Sequence, residues 1–167
     1  MKPATYADIP PQKIPLCRPA NGVSVKVIAG SFQYDGNEVQ GPILGLSTEP
    51  QFYDIRLQAG TELKLTLPQD HHALLYPFEG AVAVKNADTL QQLKEHHAGL
   101  LSQGNSVTLF ANADVSVILL AGKPINEPIA QYGPFVMNTP AEIEQAIRDY
   151  QQGKLTSAGP AGQITLN

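Results

Sequence analysis

Short apolar segments separated by turn residues run through most of this chain. From Val23 to Leu120, stretches rich in Val, Leu, Ile, Phe and Tyr alternate with Gly, Asn, Asp and Pro, and no long helical period interrupts them. Because short strands between frequent turns are typical of sandwiches and barrels, we predict an all-β fold. The predicted strands are residues 23–28, 52–57, 62–67, 73–78, 81–85, 106–110 and 115–120.

One helix is predicted near the carboxyl end. An apolar stripe recurs there at i, i+3, i+4 and i+7, which is one face of an α-helix. Thr139 and Glu142 have the spacing of a capping box, Pro140 stands at the first helical position, and Gly153 ends the run. We therefore predict a helix over residues 139–153. Its stripe consists of Ile143, Ala146, Ile147 and Tyr150.

The two ends of the chain contain few residues suited to packing. Residues 1–22 are rich in proline, which favours an extended arm over a helix. Residues 154–167 are mostly small and polar, so we expect a flexible tail, with residues 164–166 as a possible edge strand. A chain of 167 residues can bury one core, so a single domain is expected.

Charge and cysteine content limit the classes of function. The net charge is −4 and no basic stripe is present, so we expect no nucleic-acid partner. Cys17 is the only cysteine, which suits a reducing compartment and makes the cytoplasm the expected location. No apolar run approaches the roughly 20 residues of a membrane helix, and no export signal opens the chain, so no membrane association is expected.

Residues 122–138, GKPINEPIAQYGPFVMN, form a loop motif that combines turn residues, amides and aromatics. This motif, continued by Thr139-Pro140-Ala141-Glu142, resembles the signature of the pirin family, which are metal-binding two-domain cupins. The opening MKPATYADIP looks like the bridge between the two cupins, so the resemblance covers residues 1–155 and the carboxy-terminal half of a pirin. It implies one cupin barrel over residues 23–138, with Glu79-Gly80 as a tight hairpin turn.

The resemblance raises the question of a metal site. Cupins usually hold a divalent metal with two histidines and a carboxylate from one strand pair and a third histidine from a later strand. Taking Gly60 and Gly80 as the glycines of the first motif, and Gly104 as that of the second, fixes the four ligand positions. They are occupied by Thr66, Pro68, Ala73 and Val115. Since none of these side chains ligates such a metal well, we predict no metal and no other cofactor, with iron or another divalent metal as the alternative.

Two histidine pairs, His71-His72 and His96-His97, leave weak metal candidates. Neighbouring strand residues point to opposite faces, so a buried site could use His71 with His97, provided that the loop carrying His97 folds over the barrel mouth. The favoured interpretation is that these are loop histidines near the rim, some hydrogen-bonded to backbone. Three strand residues are possible pocket lining, although strand aromatics more often belong to the core or the sheet surface. They are Leu75, Tyr76 and Phe78.

These observations favour a metal-free cupin that binds, scaffolds or regulates over an enzyme. The apolar helix needs a covering surface, so we expect a homodimer, or exchange of the arm or helix between protomers. One alternative is a degenerate enzyme with the quercetin 2,3-dioxygenase-like activity that the family resemblance implies. Another is one piece of a split pirin, active only with a separate amino-terminal cupin.

Overall fold

The computed structural model describes residues 5–86, 89–155 and 162–163. The described residues fall into two compact units, one within residues 9–124 and one within residues 1–8 and 125–167. Their helices and strands are β1 Thr5–Tyr6, a 3-10 turn Pro11–Lys13, β2 Leu16–Ala20, β3 Val23–Ala29, β4 Ser31–Tyr34, β5 Asn37–Gln40, β6 Gln51–Leu57, β7 Glu62–Thr66, β8 His72–Glu79, β9 Val82–Asn86, β10 Thr89–Leu93, β11 Gly99–Leu100, β12 Ser106–Phe110, β13 Val115–Gly122, β14 Ala130–Tyr132, β15 Phe135–Met137, α1 Pro140–Gln151 and β16 Gly162–Gln163.

Two antiparallel sheets enclose the core of the 9–124 unit. The larger has six strands in the order β11-β8-β13-β6-β3-β2, and the smaller has four in the order β10-β9-β12-β7. Because side chains alternate along a strand, every second residue points between the sheets, as the burial pattern of β3 and β7 shows. One contiguous apolar cluster results, with Ile55, Leu65 and Leu119 fully buried. This all-β architecture confirms the predicted fold, and each predicted strand is present within two residues.

The segment predicted as an extended arm, residues 1–22, contains a strand of the main sheet. β2 pairs with β3 at the sheet edge, with Cys17 opposite Val25 and a register shift before Ala20. Pro19 lies in this shift. A proline lacks the N–H that a ladder needs, but an edge strand with an irregularity tolerates it. The proline content favoured extended backbone over a helix, and residues 16–20 are extended, as an edge strand of the main sheet.

The Glu79-Gly80 pair does not form a hairpin. The strands on either side, β8 and β9, belong to different sheets, so the chain crosses from one sheet to the other at this point. Gly80 has φ +74°, and a Cβ there would lie 2.6 Å from the Asp114 carbonyl oxygen. Glycine is needed because both the left-handed backbone and the close approach of another strand exclude a side chain.

The structure contains a short hairpin that was not predicted. β4 and β5 pair around Asp35 and Gly36, which both have positive φ, of 47° and 75°. Two left-handed residues in a two-residue loop form the turn that suits antiparallel strands, and Asp-Gly is among its preferred sequences. Phe32 of this hairpin stacks edge-on against Tyr53 with ring centroids 5.6 Å apart, which anchors the hairpin to the core.

The second unit consists of a hairpin and a helix. β14 and β15 pair across Gly133 and Pro134, and α1 packs on this hairpin. The predicted capping box is present: the Thr139 hydroxyl accepts from the Glu142 N–H, and the Glu142 carboxylate accepts from the Thr139 N–H. Ile143 and Ala146 are the buried residues of α1. The predicted helix is therefore confirmed, one to two residues shorter at its ends than expected.

Only part of the predicted tail is described. Gly162 and Gln163 form β16, which pairs in parallel with β1. The possible edge strand at residues 164–166 lies outside the described residues. Among the residues that are described, no helix has the length and apolarity needed to cross a membrane, and α1 has 12 residues.

Candidate functional site

A cavity of about 550 Å³ lies at one end of the sheet pair. It is formed where β7 and β11 end and where β8 and β12 begin, so loops and strand ends supply its walls. Apolar residues continue the core into it, and neutral polar residues surround them. The lining comprises Leu67, His71, Ala73, Val84, Lys85, Gln91, Leu100, Leu101, Ser102, Gln103, Gly104, Asn105, Ser106 and Val107.

His71 is the buried polar residue among those that line this cavity. It directly precedes β8, and its side chain is 1% exposed. Its backbone N–H donates to the Pro68 carbonyl over 3.1 Å, which fixes the turn that places the ring. Neither ring nitrogen has a hydrogen-bond partner in the protein. Since buried polar side chains are nearly always hydrogen-bonded, His71 is an exception that needs a physical explanation.

Two carboxylates and an ammonium group lie beside His71. Its Nε2 is 4.0 Å from Glu49 Oε2 and 4.0 Å from Asp70 Oδ1, too far for direct hydrogen bonds. Lys123 Nζ lies 2.7 Å from Glu49 Oε1 and 3.5 Å from Asp70 Oδ2, and so bridges the carboxylates. The hydrogen bond to Glu49 raises the pKa of Lys123 above its usual value. This group was not predicted, because its members come from loops far apart in sequence.

His97 does not join His71. It is exposed, and its Nδ1 lies 2.8 Å from the Glu95 carbonyl oxygen. His96, with φ +59°, donates its backbone N–H to the Pro77 carbonyl. Within the described ranges, no group of three or more His, Cys, Asp or Glu side chains is arranged to hold a metal ion.

The predicted ligand register is wrong on β7. Thr66 is exposed, because the side chains of this strand that point inward belong to Leu63 and Leu65, with Leu67 buried directly after it. The glycine spacing placed the ligand positions one residue away from the positions that face the core. A shift of one residue turns every side chain of a strand to the other face. Ala73 and Val115 are buried as that register requires, but both are apolar. The positions facing the core on these strands therefore offer a metal no nitrogen or oxygen side-chain donor.

The three residues named as possible pocket lining are not brought together on one face. Leu75 is fully buried in the core, whereas Tyr76 and Phe78 are half-buried on the opposite face of β8. Residues 75 and 76 necessarily point to opposite faces of a strand, so the three side chains cannot share a pocket. The strand aromatics lie on the sheet surface, in line with the interpretation favoured from the sequence.

A larger and more open groove of about 820 Å³ lies at the opposite end of the sheet pair. A row of polar residues crosses the outer face of the six-stranded sheet there, with Ser24 opposite Arg56 and Arg56 opposite Ser116. Ser116 is buried and donates from Oγ to Glu79 Oε2 over 2.9 Å. The groove thus combines exposed cationic groups with paired acidic ones.

Cys17 lies away from both cavities, buried in the core. Burial raises the pKa of its thiol, because the thiolate would lose its hydration. A raised pKa lowers the thiolate fraction, so Cys17 has the environment of a structural cysteine and not that of a nucleophile.

Two antiparallel sheets around one apolar core, with a cavity at one end, define the 9–124 unit as a cupin-type barrel. The family model for the pirin C-terminal cupin domain matches residues 52–156, which is more than half of the chain. The chain therefore belongs to the pirin family and corresponds to its C-terminal cupin, as the sequence motif predicted.

Relatives extend the match toward the amino end. A putative quercetin 2,3-dioxygenase from Pseudomonas aeruginosa is 44% identical over 93% of this chain and 54% of its own length. A second from Vibrio cholerae is 38% identical over 92% of this chain and 53% of its length. A solved quercetin 2,3-dioxygenase from Acinetobacter baumannii is similar with a TM-score of 0.74 and 35% identity, covering 89% of this chain and 49% of that one. The chain thus spans about half the length of these relatives.

Proposed function

We propose that this chain is a binding and scaffolding cupin that holds no metal of its own and pairs with a metal-bearing cupin domain. The observation that carries this proposal is the inward face of the barrel. Leu63, Leu65, Ala73 and Val115 stand on the strands that would have to supply ligands, and all four are buried and apolar. A divalent metal site of the cupin kind needs imidazole and carboxylate donors, and this face does not fit one.

A separate surface supports the pairing. Large apolar side chains are exposed along residues 125–155, and we call them together the 125–155 surface. Ile129 is 81% exposed and directly precedes β14. Large exposed apolar patches mark interaction sites on soluble domains. The members are Ile125, Ile129, Tyr132, Val136, Tyr150 and Leu155.

The occupant that we propose for this surface is the amino-terminal cupin of the family. The relatives are about twice as long as the matched segment, so each contains a further half of similar size. A homologous domain carried either on the same polypeptide or on a separate one would cover the 125–155 surface. The expected homodimer is the competing arrangement, in which a second copy takes that place.

Metal content and mass in solution test this proposal together. The untagged chain, purified without chelator, is analysed by elemental mass spectrometry and by light scattering after size exclusion, alone and with the unmatched half of the Pseudomonas aeruginosa relative. We expect less than about 0.1 equivalent of transition metal in this chain and a one-to-one complex in the mixture. Stoichiometric metal in the chain alone would overturn the metal-free assignment. A dimer of this chain that resists the added half would replace the proposed occupant with a second copy.

A second candidate function is supported by the names of the relatives. Those with 44% and 38% identity are described as putative quercetin 2,3-dioxygenases, and this chain matches about half of each. In this case the chain is the non-metal half of such an oxidoreductase. The test is oxygen-dependent loss of quercetin by the complex, with each half alone as control. Activity of this chain alone would contradict both candidates as stated.

A further inference from the structure

The open groove of about 820 Å³ carries opposite charges on different strands of the six-stranded sheet. Arg18 lies on β2 and Arg56 on β6, whereas Glu79 is the last residue of β8. Arg56 is opposite Ser116 of β13, and Ser116 is opposite Glu79. Since neighbouring strands lie about 4.8 Å apart, the backbones of Arg56 and Glu79 are separated by roughly 10 Å. The groove therefore has a cationic side and an acidic side.

The two arginines of the groove keep hydrogen-bond donors for a ligand. Arg18 is exposed and forms no hydrogen bond or ion pair with any described residue. Arg56 has a side chain that is 58% exposed, and its Nε lies 4.0 Å from Asp54 Oδ1, beyond hydrogen-bond distance. A guanidinium group has five N–H donors and can bind a carboxylate through two parallel hydrogen bonds. The cationic side therefore suits a carboxylate group.

Glu79 is held in place by the protein but is not neutralised by it. Its Oε2 accepts a hydrogen bond from the hydroxyl of Ser116 over 2.9 Å, and Ser116 is buried. In the part of the chain that the structure describes, Glu79 has no cationic partner and its Oε1 accepts no hydrogen bond. A carboxylate that is fixed through one oxygen and free at the other suits a charged donor. The acidic side therefore suits an ammonium group.

The formal charges of the groove balance, which disfavours a ligand with one kind of charge. Asp114 is the second acid, and its Oδ1 accepts from the Ala59 N–H over 2.8 Å. The charged side chains among the described lining residues are thus two arginines and two carboxylates. A simple anion would be repelled by both acids and a simple cation by both arginines. A molecule with one charge of each sign at separate ends meets an opposite charge at both ends.

We propose that this groove binds a small zwitterionic molecule, with its carboxylate on Arg56 and Arg18 and its ammonium group on Glu79. The volume is within the range of small-molecule sites. The aliphatic residues Val23, Leu57 and Val115 are buried, so polar groups supply most of the binding. Every lining residue belongs to the 9–124 unit, and the site requires neither a metal nor a second cupin. Its success or failure is therefore independent of the proposed function.

Three probes that differ in charge test the proposal on this chain alone. ε-Aminohexanoate carries both charges, hexanoate carries only the carboxylate, and hexylamine carries only the ammonium group. Backbone amide shifts of ¹⁵N-labelled protein are followed at low ionic strength, because salt screens exposed charges. We expect saturable shifts at Ser24, Arg56 and Ser116 with ε-aminohexanoate, and binding at least about fivefold weaker with each of the other two probes. Equal affinity for hexanoate, equal affinity for hexylamine, or no saturable shift with ε-aminohexanoate would overturn the proposal.

Two variants assign the ends of the ligand. Arg56→Gln removes the cation, and Glu79→Gln removes the negative charge while its amide oxygen can still accept from Ser116. Both positions are exposed, so the melting temperature should change little. We expect each variant to bind ε-aminohexanoate about fivefold more weakly. Hexylamine affinity should not fall in Arg56→Gln, and hexanoate affinity should not fall in Glu79→Gln. Unchanged affinity for ε-aminohexanoate in either variant would refute the assigned contact.

Lys26→Gln is the matched control for a loss of charge outside the groove. Lys26 is two residues from Ser24 on the same face of β3, its side chain is 47% exposed, and it is not part of the groove lining. This variant should bind ε-aminohexanoate as the unmodified chain does. A loss equal to that of Arg56→Gln would mean that the general charge of the sheet attracts the probe, and would refute a site in the groove.

Discussion

The two units of this chain differ in how far their large apolar side chains are buried. In the 9–124 unit, apolar side chains of both sheets meet in one sealed cluster, and Leu119 is fully buried while its neighbour Leu120 is 38% exposed on the other face. In the 125–155 segment, most large apolar side chains point outward, and Ile143 and Ala146 are the buried residues of the helix. The 9–124 unit gathers its buried apolar side chains in one cluster, whereas residues 125–155 leave most of their large apolar side chains exposed, as the proposed pairing requires.

The largest expected effect comes from opening the sealed core. We expect Leu119→Ala to lower the free energy of unfolding by about 2–5 kcal/mol, because it removes buried methyl groups and leaves a cavity. The measurement is equilibrium denaturation in urea. Leu120→Ala on the same strand is the matched control and should cost under about 1 kcal/mol, since that side chain is partly exposed. Equal losses in the two variants would mean that the burial contrast between the faces is wrong.

The second largest loss of stability is expected at Gly80, where the chain crosses from one sheet to the other. Gly80→Ala combines a left-handed backbone with a Cβ 2.6 Å from the Asp114 carbonyl oxygen, so we expect a loss above about 2 kcal/mol in the same denaturation experiment. Gly36→Ala is the control. Its φ is +75° but nothing lies within 4 Å, so only the backbone term of about 1 kcal/mol should appear. If the two substitutions cost the same, the close approach of strands at Gly80 is not a constraint.

A smaller effect is expected at the helix cap of the second unit. Thr139→Ala removes the hydroxyl that accepts from Glu142 N–H, and should destabilise α1 by about 1 kcal/mol, seen as faster amide exchange in residues 140–151. Exchange in the 9–124 barrel should not change. Faster exchange throughout the barrel would show that the two units unfold together, against their division into independent units.

The same cap should give a pH dependence. Hydrogen bonds from Thr139 lower the pKa of Glu142 below its usual value, so the ionised carboxylate stabilises the folded helix. That contribution is full above the unfolded-state pKa of glutamate and is lost as the pH falls through the lower folded-state pKa. The protection of the helix amides, taken relative to the intrinsic exchange rate at each pH, should therefore fall in acid, and Glu142→Gln should remove that fall. An identical acid profile in Glu142→Gln would assign the effect to another group.

The smallest expected effect is at the charged group beside His71. Lys123→Met removes the ammonium that bridges Glu49 and Asp70, but the group is exposed, so denaturation should shift less than in any variant above. The shift should shrink further when the ionic strength is raised, because salt screens exposed pairs. A loss comparable to that of Leu119→Ala would mean that this cluster is a central part of the barrel.

Local patterns in the sequence were sufficient for the barrel strands and for the helix. The alternation at residues 23–28 predicted β3. The spacing of Thr139, Pro140 and Glu142 predicted the start of α1. The Asp35-Gly36 pair is an equally local signal for a hairpin, but the hairpin was not predicted. Where each element is specified by its own residues, the sequence is enough to predict it.

The candidate sites could not be predicted in this way. Thr66 was assigned to a ligand position by glycine spacing, and a single residue of register reverses the direction of its side chain. The group around His71 brings together Glu49, Asp70 and Lys123 from three separate loops, and no spacing in the sequence encodes their distances. The same holds for the cavity, whose walls come from the ends of several strands.

The pairing surface is the central claim of this account, and a titration tests it most directly. The unmatched half of the Pseudomonas aeruginosa relative is titrated calorimetrically into this chain and into an Ile129→Ser, Val136→Ser double variant. Both side chains are exposed, so the variant should fold with unchanged stability. We predict one-to-one binding by the unmodified chain and binding at least tenfold weaker by the variant. Equal affinity in the two, or no binding by either, would contradict the assignment of residues 125–155 as the surface that a second cupin covers.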